Sequence, residues 1–239
     1  MSEASEQILM LDGQWLLVAP NELPEPPGPA WFDPEFWRGR GQLAGAASGR
    51  GQVHFIQGEG YSWALRHFMR GGLVARFNRD RYWFSSQDRV RSFAEWRLLR
   101  QMSRWQLPVP AAVAAGYSRS GPWYRADLIT ARIEHQQTLA QALAGGPADP
   151  DVFARVGSLV RQFHGRGVFH ADLNCHNILL AESRLWLIDF DRGAIMSPGR
   201  WQQENLERLR RSVYKVTPES LRSRLPAAWD SLLASYNSA

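Results

Sequence analysis

The stretch from His164 to Asp191, HGRGVFHADLNCHNILLAESRLWLIDFD, decides how the rest of the chain is interpreted. Within it the letters HADL begin at His170, and Asn177 lies five residues beyond Asp172. An apolar run then ends in the letters DFD, which begin at Asp189. A single His-x-Asp arises often by chance, but this order of motifs at this spacing is much rarer. The stretch therefore predicts one functional site.

The spacing matches the catalytic and metal-binding loops of kinases. Transfer of the γ-phosphoryl group of ATP needs a carboxylate that accepts the proton of the acceptor hydroxyl, and oxygen ligands for Mg²⁺. We therefore predict that Asp172 is the catalytic base and that Asn177 and Asp189 bind Mg²⁺. We expect His170 to orient the loop through hydrogen bonds rather than to transfer protons.

Two glycines upstream are candidates for contact with the nucleotide. Gly49 and Gly51 lie between two extended segments, and glycine lets backbone N–H groups approach a phosphate without a Cβ in the way. Because they precede the catalytic loop as the phosphate-covering turn of a kinase does, we predict that they contact the phosphates of ATP. An ordinary hairpin turn is the alternative.

A kinase also needs a cation on a neighbouring strand, usually a lysine, yet the only lysine here is Lys215. An arginine must take this place, although arginine differs from lysine in shape. We prefer Arg66, on the strand expected to follow the glycine turn directly, to Arg76 on the next strand. Glu95, on a helix predicted over residues 86–105, is the acid expected to pair with that cation.

These segments predict an α+β chain with a two-lobed, protein-kinase-like fold. Residues 1–133 form a β-rich N-terminal lobe with one helix, and residues 134–239 form a reduced helical C-terminal lobe that carries the catalytic and metal-binding loops. Asp149 and Pro150 have the residue types of an N-cap and a first helical position, so a helix of the second lobe should begin there.

A later helix is predicted over residues 200–213 and is strongly basic. It carries Arg208, Arg210 and Arg211. These arginines form either a solvated basic face or part of a seat for an anionic acceptor, and the sequence leaves both interpretations open.

Composition narrows the class of protein. Hydrophobic residues make up 44% and aromatic residues 12% of the 239 residues, which argues against disorder. Cys175 is the only cysteine, so no internal disulfide can form, and we interpret it as a passive loop residue. No signal peptide or membrane span is expected. The net charge of +5 favours anionic partners, and the arginines and aromatics of residues 79–84 either touch lipid head groups or pack inside the fold.

The runs HADLNCHNILL, LIDFDRG, ALRHFMRGGLVARFNRDRYWF, SFAEWRLLRQM and NLERLRRSVYK resemble the 3-deoxy-D-manno-octulosonic acid (Kdo) kinases of Gram-negative bacteria, from about residue 37 to residue 215. The resemblance implies an ATP- and Mg²⁺-dependent enzyme that phosphorylates the 4-hydroxyl of Kdo on a lipid A precursor, in lipopolysaccharide core biosynthesis. It also implies a peripheral protein on the anionic cytoplasmic face of the inner membrane. No nucleic-acid partner is expected, and no obligate protein partner is implied.

Two other interpretations remain open. The first is another small-molecule phosphotransferase of the same fold, of the aminoglycoside or choline type, because the catalytic loops of those enzymes have the same pattern. The second is a binding module that has lost turnover, which the missing strand lysine favours and the retention of Asp172, Asn177 and Asp189 opposes. Nucleic-acid binding through the arginines has no recognition motif behind it.

Overall fold

The structure is a computed structural model, and it describes four stretches of the chain: residues 6–47, 53–70, 80–182 and 184–238. It divides into two compact units, the first made of residues 1–100 and 111–132 and the second of residues 101–110 and 133–239.

The segment of residues 101–110 belongs to the second unit, whereas the sequence placed it in a first lobe that extends to residue 133. The backbone gives the reason. The Leu187 N–H donates to the Pro108 carbonyl at 3.0 Å, and the Arg166 guanidinium lies 5.8 Å from the ring centroid of Trp105. These two contacts join the segment of residues 101–110 to Leu187 and Arg166 of the second unit.

Strands of the first unit form one antiparallel sheet. In chain order they are β1 (Gln7–Leu11), β2 (Gln14–Val18), β3 (Leu43–Ala47), β4 (Val53–Gly58), β5 (Tyr61–His67), β6 (Tyr82–Trp83), β7 (Ala112–Ser120) and β8 (Trp123–Ala131). Their order across the sheet is β1-β2-β7-β8-β5-β4-β3, and β6 also pairs with β8. The core includes Trp31, Trp37 and Trp63, with the ring centroids of Trp31 and Trp63 5.2 Å apart.

Strand β5 positions Arg66. Its residues alternate between faces, so that Trp63 and Leu65 are buried in the core and Arg66 lies on the other face. The sequence placed Arg66 on the strand that directly follows the glycines, and this detail is wrong. Strand β4 comes first, and the chain then reverses in a two-residue turn, for which Gly60 supplies a left-handed φ of 78°.

The α-helices of the described residues are α1 (Pro34–Gly39), α2 (Arg91–Arg104), α3 (Leu139–Gly145), α4 (Pro150–Gly165), α5 (Trp201–Val216) and α6 (Leu225–Asn237). Short 3₁₀ turns also occur at Pro20–Glu22, Pro29–Phe32, Gln87–Arg89, Cys175–Asn177 and Glu219–Arg224. No helix of the described residues is both long enough and apolar enough to cross a bilayer.

Helix α2 packs on the sheet of the first unit. Phe93, Trp96 and Leu99 are buried along one face. The Ser92 hydroxyl donates to the Gly116 carbonyl of β7 at 2.9 Å and so fixes the helix to the sheet. This packing buries the neighbouring Glu95 almost completely.

Helix α4 is the central helix of the second unit. It begins as predicted, because Asp149 accepts a hydrogen bond from the Asp151 N–H at 2.9 Å and Pro150 is the first helical residue. Its buried stripe consists of Phe153, Val156, Leu159, Val160 and Phe163. A Cβ at Gly157 would lie 2.1 Å from the Leu232 carbonyl oxygen, so a glycine is needed for the close approach of α4 and α6.

Five short strands complete the second unit. They are β9 (Gln137–Thr138), β10 (Val168–Phe169), β11 (Ile178–Leu180), β12 (Leu185–Leu187) and β13 (Ala194–Ile195). Antiparallel pairing forms a three-stranded sheet in the order β12-β11-β9 and a separate β10-β13 ribbon. The predicted catalytic loop connects β10 to β11, and the Asp-Phe-Asp motif follows β12 after one residue.

Candidate active site

His170 is the buried centre of the predicted catalytic loop. Its Nε2 lies 3.0 Å from the Ile188 carbonyl, which can only accept, and its Nδ1 accepts the Asp172 N–H at 3.1 Å. One neutral tautomer, with the proton on Nε2, satisfies both contacts. Burial lowers the pKa of His170 more than the nearby Asp189 and Asp172 carboxylates raise it. These hydrogen bonds support the predicted orienting role, which stays a prediction.

Asn205 of α5 holds the backbone of the loop at His170. Its Nδ2 donates to the His170 carbonyl at 3.0 Å, and its Oδ1 accepts the His170 N–H at 3.3 Å. Asn205 is itself buried. Because both partner groups belong to one residue, helix α5 and the loop are held in one register.

His164 lies beside this clamp, in a buried site where its two ring nitrogens are used. Nδ1 accepts the Tyr236 O–H at 2.8 Å, and Nε2 lies 3.4 Å from Asn205 Oδ1. Burial is the largest cause that lowers the pKa of His164 from 6.5 to about 4. The imidazole is therefore neutral in the folded protein at mild pH.

The burial of His164 predicts a loss of stability in mild acid. The unfolded chain binds a proton at this histidine as the pH falls below 6.5, whereas the folded chain resists protonation down to about pH 4. Between about pH 7 and about pH 4.5 the wild type should lose about 2–3 kcal/mol more unfolding free energy than His164→Gln, which does not titrate. Urea unfolding at the two pH values measures the difference. Equal losses in both proteins would contradict this account.

Asp172 lies at the exposed edge of the loop, with 40% of its side chain accessible. Its main-chain carbonyl accepts hydrogen bonds from Asn174 Nδ2 at 2.8 Å and Asn177 Nδ2 at 3.1 Å. Its Oδ1 is 3.5 Å from Arg208 Nη1 of α5. The backbone is therefore fixed on the inner side while the carboxylate faces outward, as a proton acceptor requires.

Asn177 and Asp189 come together at the ends of two paired strands. Ile178 pairs with Leu187, and the Ile188 N–H donates to the Asn177 carbonyl at 3.0 Å, so Asp189 follows directly after this contact. Asp189 then has a left-handed φ of 64°, which is uncommon for residues other than glycine and turns the chain out of the strand. Phe190 is fully buried, with its ring 5.6 Å from that of Phe163, and anchors the motif.

The donor chemistry of this pair suits Mg²⁺. Since Asn177 Nδ2 donates to the Asp172 carbonyl, the amide presents its oxygen on its other side. Asp189 adds a carboxylate. No group of three or more His, Cys, Asp or Glu side chains converges within the described residues. One amide and one carboxylate are a sufficient protein contribution, because Mg²⁺ keeps several waters and binds substrate phosphates.

In the first unit the structure brings Arg66 and Glu95 together. Arg66 Nη2 lies 2.5 Å from Glu95 Oε2, and 22% of the Arg66 side chain is accessible, compared with 3% of that of Glu95. The guanidinium also lies 4.6 Å from the ring centroid of Phe68. Arg66 is therefore a largely buried cation on β5, held by a helix carboxylate.

Gly49, Gly51 and Arg76 fall outside the described residues. Their assignment to the nucleotide stays a prediction.

Cys175 is buried and structural. Its N–H donates to the Ser212 hydroxyl at 3.0 Å, and burial raises the pKa of its thiol. These observations agree with the interpretation of Cys175 as a passive loop residue, which stays a prediction.

Sequence reasoning missed Asn205 and Ser212. A signal was available, because α5 buries Trp201, Asn205, Leu209 and Val213 at four-residue intervals. A polar residue on such an apolar stripe needs a buried partner. The sequence did not show that the partner is the backbone of the catalytic loop.

Two features define the kinase-like class of protein. The β-rich unit carries a cation on a strand, and the helical unit carries the loop from His170 to Asn177. The chain is similar to the solved structure of WaaP in complex with acyl carrier protein, with a TM-score of 0.51, 18% identity and 81% of each chain covered. At that identity the likeness shows the fold. The predicted α+β kinase-like fold is thereby confirmed.

The chain belongs to the lipopolysaccharide kinase (Kdo/WaaP) family, whose model matches residues 34–236. A protein of Vibrio vulnificus strain YJ016 named 3-deoxy-D-manno-octulosonic acid kinase is 39% identical over 204 residues, which cover 85% of this chain and 86% of the relative. A protein of the same name from Stenotrophomonas maltophilia strain K279a is 44% identical over 191 residues, covering 79% of this chain and 76% of the relative. The family predicted from the sequence is confirmed.

Proposed function

We propose that the protein transfers the γ-phosphoryl group of ATP to the 4-hydroxyl of Kdo on a lipid A precursor, in lipopolysaccharide core biosynthesis. The loop in which buried His170 holds the backbone of Asp172 beside Asn177 and Asp189 is the observation that supports phosphoryl transfer. The acceptor is carried over from the names of relatives that are 39–44% identical over most of the chain.

Asp172 serves as the base in this reaction. The acceptor oxygen attacks the γ-phosphorus and a new O–P bond forms, while the bond to the β–γ bridging oxygen breaks and ADP leaves with its electron pair. The acceptor proton passes to the outward-facing Asp172 carboxylate. Hydrogen bonds from Asn174 and Asn177 to the Asp172 carbonyl keep the carboxylate in place during the transfer.

Asn177 and Asp189 hold the magnesium ion in this proposal. A Mg²⁺ ion held there would neutralise the negative charge of the nucleotide phosphates. The protein's own contribution is to keep the Asn177 amide oriented through its bond to the Asp172 carbonyl, and to place Asp189 directly after a strand paired with that asparagine.

The Arg66–Glu95 pair supplies the nucleotide cation. A guanidinium can donate hydrogen bonds to two phosphate oxygens at once, and it carries the same positive charge as the usual lysine. The buried Glu95 carboxylate restricts the orientation of Arg66 before ATP binds. Gly49 and Gly51 are assigned to the same phosphates on their sequence position alone.

Acceptor choice is tested with radiolabelled γ-phosphate. The purified protein is incubated with labelled ATP, with and without Mg²⁺, and with a Kdo–lipid A precursor, an aminoglycoside or choline. We expect label only on the Kdo lipid and only with Mg²⁺, and mass spectrometry should locate the phosphate on the 4-hydroxyl. Label on the aminoglycoside or choline instead would replace the proposed acceptor.

The protein binds the anionic surface of the inner membrane in this proposal, as a peripheral protein on the cytoplasmic face. A surface of the first unit supports it. Trp83 is 64% exposed on β6 and lies edge-on to Trp123 with centroids 5.5 Å apart. Arg81 and Arg125 are also exposed, each two residues along the chain from one of these tryptophans. An exposed indole near arginines suits the boundary between head groups and acyl chains.

Removing the exposed indole tests this surface. Trp83→Ser should lower binding to phosphatidylcholine vesicles that contain phosphatidylglycerol by about tenfold, because one buried aromatic contributes about 1.5–3 kcal/mol. Vesicle flotation measures the bound fraction. The control is Met10→Ser, at another exposed apolar side chain of the same unit. Equal binding of wild type and Trp83→Ser would remove this surface from the proposal.

A further inference from the structure

Arg208 is a cation that the fold brings to the predicted base. Its Nη1 lies 3.5 Å from Asp172 Oδ1, and both side chains are substantially exposed, Arg208 by 47% and Asp172 by 40%. An ion pair this open contributes little to stability because solvent screens it. Its position therefore calls for an explanation other than folding.

Helix α5 holds Arg208 between two anchors. Asn205 binds both backbone groups of His170, and Ser212 accepts the Cys175 N–H while donating to the Leu209 carbonyl at 2.7 Å. These residues lie on the helix face that packs on the loop, one turn before and one turn after Arg208. These two hydrogen-bonded residues, one on each side of Arg208 along the helix, therefore keep this part of α5 next to the loop.

Arg210 of α5 is directed elsewhere. The Arg210 guanidinium lies 5.7 Å from the ring centroid of Tyr214 and 5.8 Å from that of Trp229. The segment from Val168 to Leu187 contains one further arginine, Arg184, whose guanidinium lies over the Trp186 ring at 3.7 Å. Arg208 is therefore placed differently from these basic residues.

Phosphoryl transfer needs such a cation. Charge is spread over the three oxygens of the transferring group, and cations fixed before the reaction stabilise it. A guanidinium has five N–H donors, of which the contact with Asp172 uses one nitrogen. The γ-phosphoryl group must lie beside the base for the acceptor hydroxyl to reach both.

We propose that Arg208 is a further catalytic residue, which binds oxygens of the transferring γ-phosphoryl group through the guanidinium that contacts Asp172. This inference rests on the proposed function for the identity of the reaction. It separates Arg208 from the basic face of α5 and assigns it to the reacting phosphate rather than to the anionic parts of the acceptor.

The test compares Arg208→Gln with a matched control, Arg200→Gln. Arg200 directly precedes α5 and also contacts an acid, Glu204, but its side chain is 90% exposed. Arg208→Gln should lower kcat by about 100-fold and change the KM values for ATP and acceptor by less than about threefold, because the lost contact is made in the transition state. Arg208→Lys should recover part of the rate because it keeps the charge, and Arg200→Gln should match the wild type.

A second readout does not depend on turnover. ADP with aluminium fluoride and Mg²⁺ mimics the transferring group and should raise the Tm of the wild type above its value with ADP and Mg²⁺ alone. Arg208→Gln should lose this increment and keep the effect of ADP. A raised acceptor KM at unchanged kcat would assign Arg208 to the acceptor, and unchanged kcat and increment would assign it no role; either result overturns the inference. If the wild type phosphorylates no Kdo acceptor, the proposed function fails, whereas the Tm increment still decides the role of Arg208.

Discussion

Asp172→Asn is expected to lower phosphoryl transfer by about 10³-fold or more while the protein stays folded. The variant keeps the shape of the side chain and removes the group that accepts the acceptor proton. Stability should change by less than about 1 kcal/mol, because the carboxylate is 40% exposed and its ion pair with Arg208 is open to solvent. The KM for ATP should change little, since the nucleotide cation lies on β5.

The matched control for Asp172 is Asp230→Asn, which removes an exposed carboxylate from α6 of the same unit. Transfer rates, circular dichroism and thermal unfolding are measured for wild type and both variants. Asp230→Asn should retain wild-type turnover. Near-normal turnover in Asp172→Asn would show that another group accepts the proton.

Glu95→Ala is expected to reduce the affinity for ATP and the stability together. The Glu95 carboxylate is almost fully buried against Arg66. Removing one partner of a buried pair costs about 3–5 kcal/mol, and the partial exposure of Arg66 reduces our expectation to about 2–3 kcal/mol. The KM for ATP should rise about 10- to 100-fold, because Arg66 loses the group that orients it.

A double-mutant cycle isolates this pair. The combination of Glu95→Ala with Arg66→Ala should bind ATP no worse than Arg66→Ala alone, because the two side chains act as one unit. Asp88→Asn is the control. It removes an exposed carboxylate that pairs with Arg97, which lies on α2 as Glu95 does. An unchanged KM for ATP in folded Glu95→Ala would separate the pair from nucleotide binding.

The sequence located the candidate catalytic loop because the pattern that marks it is local, and the roles assigned to its residues stay predictions. The distance from His170 to Asn177 is fixed within one loop, and the apolar strand before Asp189 has a recognisable pattern. The start of α4 was also correct, since Asp149 and Pro150 act through hydrogen bonds and dihedral angles next to them. Features that depend only on residues close in the sequence can therefore be predicted without a structure.

Contacts between segments that are distant in the sequence were harder to predict. The sequence of a helix does not show which of its side chains face a loop that is distant along the chain. Arg208, Arg210 and Arg211 were therefore treated as one basic group. The structure separates Arg208, beside Asp172, from Arg210, which stacks near Trp229. Arg66 lies on the second strand after the glycines because the chain reverses at the short turn that contains Gly60.

The most direct test of the central claim is the transfer of labelled γ-phosphate from ATP to a Kdo–lipid A precursor, with Mg²⁺, by wild type and Asp172→Asn side by side. The account predicts label on the Kdo sugar with the wild type and almost none with the variant. Absence of label on the Kdo lipid with folded wild-type protein would contradict it.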